Sequence, residues 1–90
     1  MPIKIRLYYF AKVKEITNKQ SEIVEIEAES LNTDEVFNIV RGLYKDKEAD
    51  LDLAFTNCLI ALNDEYIGRE EQITLKENDE VSILPPISAG

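Results

Sequence analysis

The chain has 90 residues, of which 44% are hydrophobic and 31% are charged, the composition of a single soluble globular domain. Ten basic and 18 acidic residues give a net charge of −8, which argues against nucleic acid or an anionic membrane as a partner and favours a protein with a basic surface. The sequence shows neither a membrane-spanning run nor a signal-peptide pattern, and its single cysteine cannot form an internal disulfide, so we expect a cytosolic protein.

The residues needed for independent catalysis are scarce. The chain has no histidine, and its three glycines, Gly42, Gly68 and Gly90, are too far apart to form a phosphate-binding loop. Cys58 lies in the apolar run Asn57–Leu62, which predicts a buried strand residue rather than a nucleophile. We therefore expect neither a metal site nor a stably bound cofactor.

The first third of the chain predicts two strands joined by a short helix. Residues 3–10 alternate between apolar and polar, which places Ile3, Ile5, Leu7 and Tyr9 on an inner face. Residues 11–16 are typical of a short helix that ends at Asn18, and residues 21–27 predict a second strand with Val24 and Ile26 inward. The two strands are expected to pair antiparallel.

The clearest local signal is a helix start at Asn32. Asn32 is a good N-cap, and Glu35 three residues later completes a variant of the capping box. The helix is predicted to run from Thr33 to about Tyr44, with an apolar stripe of Val36, Phe37, Val40, Leu43 and Tyr44. Residues 45–48 are expected to be a solvated polar segment. Residues 50–55 are ambiguous, with a helical turn as the interpretation offered, and Leu51, Ala54 and Phe55 are expected to cover an edge of the core.

The last third predicts several short strands. Residues 58–62 and 66–67 form a hairpin across the turn Asn63-Asp64-Glu65, residues 73–75 are strand-like, and Glu80–Leu84 is the final strand. One long amphipathic helix on a mixed sheet is an α+β fold of two layers, with the first and last strands as parallel neighbours at the sheet centre. This order resembles a ubiquitin-like β-grasp domain, with residues 1–84 as the domain and residues 85–90 as an extended tail.

The tail is the most unusual stretch. Residues 84–90 read Leu84-Pro85-Pro86-Ile87-Ser88-Ala89-Gly90, and two prolines in succession prevent either a helix or a strand from continuing. Such a segment is stiff at its base and thin at its tip. Its shape alone is consistent with either a frayed terminus or a probe that enters a narrow site on another protein.

Three stretches together resemble the small, sulfur-carrier subunits of molybdopterin synthases. They are Leu7-Tyr8-Tyr9-Phe10-Ala11-Lys12 followed by Glu15, then Glu77-Asn78-Asp79-Glu80-Val81, and finally the tail. In this family a Leu-Tyr-Phe-Ala-type strand end leads into a short helix, and the chain closes on Pro-Pro, an aliphatic residue, a small residue and Gly-Gly. Here the penultimate glycine is replaced by Ala89, which leaves Gly90 as the terminal residue.

The resemblance implies a carrier without catalytic activity of its own. A ubiquitin-activating-type partner, acting as adenylyltransferase and sulfurtransferase, would use ATP to convert the Gly90 carboxylate into an acyl-adenylate and then into a thiocarboxylate. The loaded tail, residues Pro85, Pro86, Ile87, Ser88 and Ala89, would enter the pocket of the large catalytic subunit. There it would donate sulfur to cyclic pyranopterin monophosphate to form the molybdopterin dithiolene. The resemblance also implies a heterotetramer of two carriers on a dimer of large subunits.

The alternation of side chains between the two faces of each strand indicates a docking surface. Phe10 and Leu84 are out of phase with the core residues of their strands, so we expect them on the opposite face as docking contacts, with Lys14 available for a partner carboxylate. Other functions of the same fold are a thiamin-type sulfur carrier, a ubiquitin-related modifier, or an interaction module without terminal chemistry. The first is typically shorter and lacks the Pro-Pro pair, and the tail of the second usually lacks it too.

Overall fold

The computed structural model describes residues 2–27, 30–68 and 71–85. In chain order, the elements are β1 (Ile3–Tyr9), α1 (Ala11–Thr17), β2 (Ser21–Ile26), β3 (Ser30–Leu31), α2 (Thr33–Leu43), a 3-10 turn (Lys45–Lys47), α3 (Glu48–Phe55), β4 (Leu59–Leu62), β5 (Glu65–Ile67), β6 (Ile73–Thr74) and β7 (Glu80–Leu84). A five-stranded mixed sheet, in the order β2-β1-β7-β4-β5, packs against three helices, and β3 and β6 form a separate two-stranded ribbon.

The sheet topology confirms the predicted α+β fold. β1 pairs antiparallel with β2, with Ile5 opposite Val24, and parallel with β7, with Leu7 opposite Val81. The first and last strands are therefore neighbours, and β7 is the central strand. The inward alternation is also confirmed, since Ile5, Leu7 and Tyr9 are all buried.

Helix α2 begins at the predicted cap. The Asn32 side chain accepts a hydrogen bond from the Glu35 amide (2.9 Å), and the Glu35 carboxylate accepts one from the Asn32 amide (3.1 Å). This reciprocal pair satisfies two amides that have no partner within the helix. Behind the cap, Val36, Phe37 and Val40 are buried against the sheet, so the capping box fixes the start of the main core helix.

Three local predictions need correction, and one ambiguous stretch is settled as a helix. Leu43 is 46% exposed and does not belong to the buried stripe, because Tyr44 takes the core side at the end of α2. The polar segment after it is a 3-10 turn, in which the Lys47 ammonium donates to the Ile16 carbonyl oxygen (2.9 Å). The ambiguous residues that follow lie in a regular helix, α3. The strand predicted from Cys58 starts at Leu59, since the Cys58 amide donates to the Phe55 carbonyl oxygen in the turn after α3.

The helices cover only the inner face of the sheet. Buried residues of α1, α2 and α3 form one cluster with the inward residues of the strands. The turn between β4 and β5 places Asn63 and Asp64 at φ values of 48° and 71°, as a tight hairpin requires. Because the hairpin keeps β4 and β5 in register with β7, the outer face is one continuous surface of five strands.

Candidate docking face and carrier tail

The tail leaves from the end of the central strand. β7 ends at Leu84, which lies opposite Leu59 at the start of β4, and Ile83 lies opposite Tyr9 at the end of β1. Pro85 is exposed and belongs to no strand. The remaining predicted tail residues, Pro86, Ile87, Ser88, Ala89 and Gly90, lie outside the described residues. The base of the tail is therefore held by pairing with β1 on one side and β4 on the other.

An apolar band crosses the outer face beside this exit. One row runs across the sheet from Tyr8 through Ser82 and Ala61 to Tyr66, and a second joins Leu84 to Leu59. Tyr66 is 61% exposed, whereas Tyr8, Leu59 and Leu84 are half-buried and Ala61 is buried beneath its neighbours. We call Tyr8, Leu59, Ala61, Tyr66 and Leu84 the outer-face band.

Phe10 lies at the edge of the outer-face band. It is 38% exposed, which agrees with the parity argument, although β1 ends one residue earlier and Phe10 instead caps α1. Its φ of −132° and ψ of 156° continue the extended direction of the strand. The chain then turns sharply at Ala11, whose φ of 52° is left-handed. The other described non-glycine residues with positive φ are asparagine or aspartate, which tolerate it better.

Lys14 is exposed on α1, and it forms no ion pair within the described part of the chain. Lys14 and Phe10 lie on opposite sides of the turn at Ala11, so both belong to one short segment of the chain.

On the outer face, the Tyr8 hydroxyl donates to the Glu80 carboxylate (3.0 Å), and this bond raises the pKa of Tyr8.

A polar cluster lies behind this end of the sheet, and the sequence analysis missed it. The Tyr9 and Tyr44 hydroxyls both donate to one oxygen of Glu22, at 2.5 and 2.6 Å, while the Lys19 ammonium is 3.4 Å from the other oxygen. Burial alone would raise the pKa of Glu22, but these hydrogen bonds and the lysine outweigh it and lower that pKa. The alternation of side chains along β2 could have indicated this cluster, because Glu22 precedes the buried Val24 by two residues and therefore lies on the same inner face.

Cys58 has a structural position rather than that of a reactive thiol. Cys58 is buried and donates to the Ala54 carbonyl oxygen (2.9 Å), and burial raises the pKa of its thiol, which disfavours the reactive thiolate. Across the described ranges, no group of histidine, cysteine, aspartate or glutamate could hold a metal ion. No helix there is long and apolar enough to cross a membrane.

The fold and the outer face define a β-grasp protein with an exposed apolar sheet face and a proline-based exit segment. The chain belongs to the ThiS family, whose pattern it matches over residues 7–90. It is 34% identical to the molybdopterin synthase sulfur carrier subunit of Dictyostelium discoideum, and the match covers 100% of both chains.

Two solved structures show the same fold. The molybdopterin-converting factor of Helicobacter pylori, solved as a protein–protein complex of subunits 1 and 2, contains a chain that is 28% identical, with a TM-score of 0.56 and coverage of 98% of this chain and 100% of that one. The small archaeal modifier protein 1 of Methanosarcina acetivorans is 22% identical, with a TM-score of 0.69 and coverage of 100% of this chain and 99% of that one. The second likeness supports the fold alone.

Proposed function

We propose that this chain is the sulfur carrier of a molybdopterin synthase and that Gly90 is the residue that carries the sulfur. The observation that carries this proposal is the family match, which extends through residue 90 and so includes the terminal glycine. The name of the Dictyostelium relative, which is matched over its full length, supports the same function. Gly90 is also the last residue of a segment that begins at an exposed proline beside an apolar face.

The proposed chemistry needs no acid, base or metal from this chain. A carboxylate oxygen of Gly90 attacks the α-phosphorus of ATP, pyrophosphate leaves, and an acyl-adenylate forms. A donor then supplies sulfur at the oxidation level of sulfide, which attacks the acyl carbon; the acyl–oxygen bond to AMP breaks, and the Gly90 thiocarboxylate remains. That sulfur attacks a carbon of the pterin precursor, cyclic pyranopterin monophosphate, and an oxygen group leaves that carbon. Water then cleaves the acyl–sulfur bond, which returns the Gly90 carboxylate and leaves the sulfur on the precursor, and two such transfers build one dithiolene. An activating enzyme and the large subunit supply the catalytic groups, so the carrier acts as a non-catalytic subunit. We expect these steps to take place in the cytosol.

The tail has a suitable length and chemistry for delivery. Six residues follow Leu84, and a chain of that length spans at most about 20 Å when extended. Glycine has no Cβ beside the carbonyl carbon that is attacked, so the tip can pass through a narrow channel. The folded domain would dock outside while Gly90 reaches an enclosed active site. Two such carriers on a dimer of large subunits would give a heterotetramer.

Docking is proposed to use Phe10, Leu84 and Lys14, together with the outer-face band. Phe10 and Leu84 border the tail base, and Tyr66 extends the apolar surface across the sheet. Aromatic and aliphatic residues that become buried at the centre of an interface contribute most of its binding energy. Lys14 would contribute a smaller, salt-dependent attraction to a carboxylate, because exposed ion pairs are weak.

We expect Phe10→Ala and Leu84→Ala each to weaken binding to the large subunit about tenfold, because each removes an apolar contact at the tail base. Isothermal titration calorimetry would measure the affinity, with Ile23→Ala as a control on the outer face of edge strand β2. Unchanged affinity in both Phe10→Ala and Leu84→Ala would refute the docking proposal.

Deleting Gly90 tests the carrier function. We expect the truncated chain to bind the large subunit but to support no dithiolene formation in a reaction that contains the activating enzyme, ATP and a sulfur donor. Retained synthase activity would identify an interaction module instead. Loss of activity together with an isopeptide bond from Gly90 of the full chain to a lysine would identify a protein modifier.

A further inference from the structure

A second apolar surface lies on the helical layer. Helices α1 and α3 border an open cleft of about 340 Å³. Leu53, at 79%, is the most exposed large hydrophobic residue of the described chain, and Ile16 and Ala54 beside it are partly buried against the core. Lys12 and Asp50 complete the cleft. A single exposed leucine is common on a protein surface, but this one continues an apolar cleft.

The cleft is at the same end of the molecule as the tail base. Helix α1 begins directly after Phe10, where β1 ends. Helix α3 ends at Phe55, and a short turn then leads to Leu59, which lies opposite Leu84. Both walls of the cleft are therefore connected to the strand ends that hold the tail. The outer-face band and the cleft flank the tail base from the two layers of the fold.

The charges around the cleft are of opposite sign. Lys12 lies on the α1 wall and Asp50 on the α3 wall. Lys12 is 3.6 Å from Glu15 in an exposed pair, which is too weak to keep it from another partner. An apolar side chain with a carboxylate on one side and a cation on the other would complement this arrangement. A second copy of this chain is disfavoured, because each copy carries a net charge of −8.

We propose that the large subunit, besides contacting the outer-face band, inserts an apolar side chain into the cleft between α1 and α3. This inference rests on the proposed function, because it assumes that the protein that receives the tail surrounds its base. Contacts on both layers would hold the tail at a fixed angle to the partner. Leu53 would be the main contact. Lys12 would favour a carboxylate of the partner beside the inserted side chain, and Asp50 would favour a cation of the partner.

The test compares two exposed aliphatic residues that are replaced by the same neutral residue. Leu53→Gln removes the proposed contact, whereas Ile23→Gln changes a 57% exposed residue that lies opposite Arg6, away from the tail exit. Neither substitution alters the net charge, so electrostatic steering stays constant. We expect Leu53→Gln to weaken binding to the large subunit by about five- to tenfold and Ile23→Gln to leave it within about twofold. Thermal unfolding would confirm that both variants are folded.

Phe10→Ala, measured in parallel, separates this inference from the docking proposal. If Phe10→Ala weakens binding and Leu53→Gln does not, the cleft is not a contact, although docking through the outer-face band stands. If neither of these substitutions nor Leu84→Ala weakens binding, both proposals are wrong. A fall in affinity of equal size for Ile23→Gln would also overturn the inference, as would a carrier dimer that Leu53→Gln dissociates, because a second copy would then occupy the cleft.

Discussion

Glu22 shows how one inward carboxylate can join three elements. One of its carboxylate oxygens accepts hydrogen bonds from Tyr9 on β1 and from Tyr44 at the end of α2, and Glu22 itself lies on β2. Its side chain is only 16% exposed, so an unpaired charge there would be costly, and the two hydroxyls and Lys19 offset that cost. The cluster therefore stabilises the layer behind the tail exit.

We expect Glu22→Gln to lower the free energy of unfolding by about 1–3 kcal/mol near neutral pH, since it removes a charged hydrogen-bond acceptor. The folded-state pKa of Glu22 is below its ordinary value of 4.5, so its stabilising effect is complete above that pH. The effect is lost as the pH falls through the lower, folded-state pKa.

Urea unfolding as a function of pH would measure this effect, with the exposed Glu25→Gln on the same strand as a control. The gap between wild type and Glu22→Gln should narrow as the solution is acidified. A gap that stays constant from neutral to strongly acidic pH would show that the charge of Glu22 is not the cause.

At Ala89, which stands where the resembled family has glycine, we expect little effect on loading. An extended chain in a narrow channel keeps φ negative, which alanine tolerates as well as glycine does. The Ala89→Gly variant should therefore be thiocarboxylated within about twofold of the wild-type rate. A large rate gain for glycine in this assay would show that the methyl group obstructs the tail.

Among the elements, α2 is the one whose start depends most on a single side chain. The Asn32 side chain satisfies the Glu35 amide, and the helix that follows carries much of the buried core. We expect Asn32→Ala to lower the free energy of unfolding by about 1 kcal/mol. Chemical denaturation would measure the change, with Asn57→Ala at an exposed turn position as the control. Equal stability of the two variants would contradict the role of the cap.

Elements with a strong periodic or capping signal could be predicted from the sequence. The alternation of β1 and the capping box of α2 depend on neighbours in the chain, and both are confirmed. The strand-like residues 73–75 are confirmed as β6, but its partner β3 was missed, because the pairing of Leu31 with Ile73 joins residues far apart in sequence. Helix α3 was ambiguous, since Leu53 faces solvent and interrupts the apolar stripe that would identify a helix.

The candidate site shows the same limit. Parity was sufficient to place Phe10 and Leu84 outside the core. Tyr66 was missed, because its place in the outer-face band depends on the pairing of Ala61 with both Tyr66 and Ser82 across three strands. Hydroxyl partners such as Glu22 for Tyr9 also depend on tertiary packing. Sequence patterns therefore identify which face of a strand or helix a residue occupies. Which residues become neighbours on that face depends on the register of strand pairing, which these patterns do not reveal.

At the scale of the whole molecule, the tail is attached to the central strand of the sheet. β7 is central in the sheet and is paired on both edges, so its end cannot shift without breaking contacts with β1 and β4. A rigid base with apolar surfaces around it would suit the proposed carrier, in which the sulfur is bound at Gly90. The folded domain would then position Gly90 relative to the partner.

The mass of the C-terminal peptide tests this account most directly. The protein would be incubated with the activating enzyme, ATP and a sulfur donor, and its C-terminal fragment analysed by mass spectrometry. We predict the mass increase for exchange of one oxygen for sulfur, located at Gly90 and lost on treatment with the large subunit and the pterin precursor. A C-terminal carboxylate that stays unmodified under these conditions would contradict the central claim.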